Sequence, residues 1–168
     1  MLALAAATSA ALEWSGRRLA LSDARAASLL VLPAMVLALA AAYADTGHPL
    51  AHGLWLVFPL ALAAHGYGLF RQEADGLAWF VAERHAAAYW LLAWAVAWEA
   101  WWLATQAPAL GPSMAEAVRA LALAAAVAAV LRGEPEWPFG RHRATLLRAG
   151  LALPVVLAWL WSRPLPPP

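Results

Sequence analysis

"YWLLAWAVAWEAWWLATQ", residues 89–106, sets five tryptophans and one carboxylate, Glu99, in an otherwise aliphatic run. A stretch of this length and polarity approaches the ~20 apolar residues that cross a ~30 Å hydrocarbon core. Reading it as a spanning helix makes the protein an all-α, polytopic transmembrane helix bundle. It also raises a question of energy. A lone carboxylate at such a depth costs about 2.5–3.5 kcal/mol on insertion scales, so Glu99 needs a partner or a function.

At about 100° per residue, Trp90, Trp94, Trp98 and Trp101 share one face within about 80°. Glu99 lies nearly opposite, beside Ala88, Leu92 and Ala95. Small residues mark close helix–helix packing, so Glu99 is expected to face the bundle and the tryptophans to face lipid or a partner. Glu99 precedes the end of this helix by about 10 Å at ~1.5 Å per residue. Arg119 reaches nearly the same depth on the following antiparallel helix, and a buried Glu99–Arg119 ion pair is the expected structural lock. Two alternatives stand beside it. Glu99 is the candidate catalytic or proton-handling group, and Arg119 has a local partner in Glu116 at i, i−3.

The composition agrees with a membrane location. The 168-residue chain is 64% hydrophobic and 12% charged, with mean hydropathy +0.64, whereas soluble domains are about one quarter charged. All basic side chains are Arg, and eleven tryptophans suit bilayer interfaces. A net charge of +1 gives no reason to expect nucleic acid as a partner. The absence of Cys excludes disulfides and thiolate metal sites.

Five spans are expected, at about 26–43, 50–70, 86–105, 113–131 and 144–161, in a single membrane domain covering 1–168. The fourth opens on Ser113 and Glu116, the pattern of a capping box. A stub at 2–12 precedes them, read as a short or truncated membrane segment, with a signal peptide as the weaker alternative. Residues 163–168 form a proline-rich tail that cannot continue a helix. Pro33, Pro59 and Pro154 lie inside spans, where kinks are expected. The connections alternate strictly. Those with Arg17, Arg18 and Arg25, with Arg71 and Arg84, and with Arg132, Arg141 and Arg143 are separated by Arg-free ones. The positive-inside rule then places the Arg-bearing connections in the cytoplasm and both termini outward.

Three histidines are further candidates for a polar cluster. His48 and His52 have the spacing of one helical face, with Pro49 at the first helical position. No third ligand is near them in sequence, so no metal site is expected there. His142 sits in "EPEWPFGRHR", where Glu134 or Glu136 could accompany it, and Trp137 and Phe139 are expected in the headgroup layer. His65 reads as a packed or interfacial imidazole one turn from the cytoplasmic end. No phosphate loop, nucleophile elbow or zincin motif occurs, and no cofactor is expected.

"LEWSGRRLAL", "HPLAHGLWLVFPLALAAH", "AWEAWW" and "EWPFGRHRATLLRAGLALP" together resemble the middle of a bacterial family of polytopic membrane proteins, domain of unknown function family 2339. The likeness covers about residues 10–163. Members of that family are longer, so the resemblance implies an internal fragment or truncated relative, in the inner membrane and without assigned catalytic residues. Two functions follow as expectations. The first is a non-enzymatic envelope module, a transport-related bundle or scaffold, whose partners are the lipid bilayer and further transmembrane helices or other subunits. The alternative is an intramembrane enzyme acting on a lipid-linked or glycan substrate at the outer leaflet.

Overall fold

A computed structural model describes residues 2–48, 50–75, 80–133 and 140–150. Among these residues the chain is helical with no strand. The elements are α1 (Leu2–Arg18), α2 (Ser22–Ala27), a 3-10 turn (Ser28–Leu30), α3 (Val31–Thr46), α4 (Leu54–Ala74), α5 (Val81–Gln106) and α6 (Pro112–Arg132). Residues 140–150 form a further helix, α7.

Three helical stretches are long and apolar enough to cross a membrane: Ser22–Thr46, Leu54–Ala74 and Pro112–Arg132. They match the expected spans at 26–43, 50–70 and 113–131. The expected span at 86–105 lies within α5, which at 26 residues is the longest helix among the described residues and about 39 Å long. Its tryptophans and the polar Glu83, Arg84 and His85 dilute its apolar character. The expected span at 144–161 lies partly outside the described residues, as do Pro154 and the tail at 163–168. The expected stub at 2–12 is a longer helix, because Glu13 and Arg25 give its second half a partner.

Local chemistry sets the boundaries. α3 ends at Gly47, whose φ of 68° is left-handed and lets its N–H reach the Tyr43 carbonyl at 2.8 Å. Pro33 has no N–H to offer the carbonyl four residues back, and the chain tightens into the 3-10 turn just before it. α6 starts at Pro112 after Gly111, with no side-chain cap. The expected capping box at Ser113 is therefore not formed, because Pro112 suits the first helical position and Glu116 is engaged elsewhere.

Two apolar clusters hold the bundle. Leu2, Val31, Met35, Phe58, Ala61 and Ala95 join α1, α3, α4 and α5. Ala86, Trp90, Ala93, Val130 and Leu146 join α5 to α6 and α7. α5 is thus the central helix, packed on both sides. The tryptophan face does not simply meet lipid. Trp90 is 7% exposed and donates its Nε1–H to the Leu146 carbonyl at 2.7 Å, while Trp98 packs edge-on against Tyr43. The reason is that α7 and α3 close over that face. Leu37, Leu60 and Leu121 on α3, α4 and α6 are instead among the exposed large apolar side chains.

Candidate functional sites at the two ends of the bundle

The α3–α4 connection folds back over the C-terminal part of α5 and brings His48 onto Glu99. The His48 Nε2 lies 2.8 and 2.9 Å from the two Glu99 carboxylate oxygens, so its N–H donates to the carboxylate. The imidazole stacks on Trp102 at 3.8 Å with planes 8° apart. Both side chains are 22% exposed, which makes this an interfacial pair rather than a deeply buried one.

The expected Glu99–Arg119 pair is not made. Arg119 bonds Glu116 one turn away on α6 and lies 5.8 Å over the Trp101 ring. Glu116 also accepts the Trp101 Nε1–H at 3.0 Å. The local i, i−3 partner wins because it needs no long side chain to cross between helices.

The expected grouping of His48, His52 and His142 is not formed either. His52 has a left-handed φ of 55° and lies in the turn before α4, so His48 and His52 share no helical face. His52 bonds Asp45 at 2.9 Å in the open. His142 belongs to the other end of the bundle. Glu134, Glu136, Trp137, Phe139 and Pro49, named with them in the sequence reading, lie outside the described residues.

At that other end a continuous polar network crosses five elements. Arg25 Nη2 lies 2.8 Å from Glu13 and 3.0 Å from Asp75. The Gln72 amide donates to Glu13 at 2.7 Å, to the Arg25 carbonyl at 2.9 Å and to the Ser28 hydroxyl at 3.2 Å. Its own carbonyl accepts from Arg84 at 3.2 Å. Glu13, Arg25, Ser28 and Gln72 are all buried, and each charge has an opposite charge beside it.

Next to Gln72, Glu73 is the meeting point of two histidines. His85 Nε2 and His142 Nε2 each lie 3.4 Å from its carboxylate, and the two imidazoles stack at 4.8 Å, 18° apart. Arg141 approaches the same carboxylate from outside at 2.7 Å. Glu73 and His85 are absent from the sequence reading. They flank one short connection, so an antiparallel hairpin returns them to a similar depth, and that was the legible signal. His65 is buried about two turns further in, which fits the packed alternative rather than the interfacial one.

No protein-family model, curated protein or solved structure matches the chain.

Proposed function

We propose that the chain is a multi-pass protein of the bacterial inner membrane acting as a non-enzymatic envelope module, a scaffold rather than a conduit. The Arg-bearing connections face the cytoplasm and the two termini face outward. Kinship with domain of unknown function family 2339 is part of the proposal and rests on the motifs quoted above.

The observation that carries this reading is the apolar waist. From Ala86 to Trp98 on α5, Leu54 to Ala64 on α4 and Val31 to Ala44 on α3 there is no charged residue. The rise between His85 and Glu99 along α5 is about 21 Å. The polar groups are gathered at the two ends and paired there, which fastens helices together without linking the ends by a row of exchangeable groups. α6 buries only Ala115 and Val130, leaving an apolar flank for lipid or for transmembrane helices of other subunits.

Proteoliposomes containing a trapped pH dye test this. The scaffold reading expects proton and sodium fluxes equal to those of empty vesicles. A flux abolished by Glu99→Gln would make the protein a conduit.

A second reading has one specific observation in its favour. A catalytic Glu99 needs a second titratable group arriving from another segment, and His48 is such a group, held against the flat face of Trp102. An enzyme working on a lipid-linked or glycan substrate at the outer leaflet would use this pair as acid and base. Under that reading Glu99→Gln keeps a folded, membrane-inserted protein but abolishes its cellular phenotype.

A further inference from the structure

We infer that Glu73, His85 and His142 form a binding site for one divalent transition-metal ion of the zinc or ferrous class, with an open coordination position. The donor set is two imidazoles and one carboxylate, which suits zinc sites with an exchangeable ligand and ferrous sites of the facial-triad type. The three ligand atoms all lie within 4.8 Å of one another. They come from α4, α5 and α7, so the site is assembled only in the folded bundle.

The spacing is informative. Both His–Glu distances are 3.4 Å, longer than the 2.7–3.2 Å of a good N–H···O bond. Two ligands each about 2.0–2.1 Å from a shared tetrahedral ion stand about 3.4 Å apart. The carboxylate–imidazole separations therefore fit an ion between the groups better than a direct bond. Bringing the two imidazole nitrogens from within 4.8 Å to the same spacing takes a side-chain adjustment of up to about 1.4 Å.

The surroundings fit as well. His85 and His142 are 6% and 9% exposed, so an ion held there is largely shielded from competing water. Arg141 Nη1 lies 2.7 Å from Glu73 Oε1, while Oε2 is the oxygen 3.4 Å from both imidazole Nε2 atoms. That is the usual arrangement in which a neighbouring donor orients a ligating carboxylate. A second observation points into the same region. Among the described residues His65 Nε2, Arg84 Nε and Arg84 Nη2 are buried without a hydrogen-bond partner. The Arg84 donors in that state call for a water or an anionic acceptor, so they mark polar volume beside the site rather than the cation itself. Arg84 and Arg141 add positive potential, which opposes cation binding, so the site is expected to be of moderate rather than extreme affinity.

The test uses the full chain purified in detergent without a histidine tag and stripped with EDTA. Zn2+ is titrated in competition with a chromophoric chelator, and Co2+ is added separately for its visible spectrum. One ion should bind per chain, with Co2+ bands of a four- or five-coordinate nitrogen–oxygen site. His85→Ala and His142→Ala should each weaken binding by about 100-fold or more, beyond what loss of an outer-shell partner causes. His52→Ala, at the other end of the molecule, should leave it unchanged. Wild-type uptake no greater than that of the His85→Ala/His142→Ala double variant overturns the assignment. X-ray absorption on the zinc-loaded wild type does not depend on any variant folding. It should show two imidazoles on the metal, and fewer than two also overturns it.

Discussion

His48 and Glu99, 51 residues apart in the chain, meet at one end of the bundle with the imidazole nitrogen 2.8 Å from the carboxylate. This contact pins the α3–α4 connection to the central helix. It also gives the only carboxylate of the tryptophan-rich stretch an immediate partner.

The pair is testable by a double-mutant cycle in detergent. Glu99→Gln and His48→Ala should each lower thermal stability, and their combination should cost less than the sum by about 1 kcal/mol. The cycle for Glu99→Gln with Arg119→Gln should be additive to within about 0.5 kcal/mol, because those groups share no partner. Coupling in the second cycle and none in the first would restore the cross-hairpin ion pair.

The opposite end should be more sensitive. Glu13 and Arg25 side chains are each only 9% exposed and bond at 2.8 and 2.9 Å. Arg25→Leu alone leaves the buried Glu13 carboxylate without a cation and should cost about 3–5 kcal/mol. Glu13→Gln should cost less because Asp75 still faces Arg25, and removing both should cost less than the sum. Chemical denaturation of the three variants in mixed micelles gives the comparison. Losses that simply add in the double variant would mean that Glu13 and Arg25 do not act as a pair.

Helix contacts make a third prediction. A methyl group on Gly150 would overlap the Trp90 ring, coming within 2.6 Å of Cε2, whereas Gly66 has open space around it. Gly150→Ala should therefore destabilise the bundle by about 1–3 kcal/mol through overpacking. Gly66→Ala should be neutral or stabilising by about 0.5–1 kcal/mol, since the helix interior prefers Ala. Thermal melts monitored by tryptophan fluorescence should separate the two, with a shifted emission maximum for Gly150→Ala alone.

The all-helical fold was legible because membrane helices must satisfy their backbone internally, leaving long apolar runs broken by charged connections. The boundaries of α5 and α6 fell within a few residues of expectation. The site was legible only in half. Depth arithmetic recognised that Glu99 requires a partner, and it placed Arg119 at a suitable level. It could not see that a short connection carrying His48 folds back over the helix end, nor that Glu116 holds Arg119 from one turn away. Face arithmetic failed on Trp90 for a similar reason, since which neighbour covers a face is a tertiary fact. Glu73 and His85 lay in stretches read as loop or helix margin, where charge is ordinary.

The central claim is that the apolar waist lies across the membrane with the two polar ends on opposite sides. The chain has no Cys, so single cysteines report without background. Ala109→Cys, in the turn between α5 and α6, should react with a membrane-impermeant maleimide in intact spheroplasts. Gly133→Cys, at the far end of α6, should react only after permeabilisation. Labelling of both positions from the same side would contradict the account.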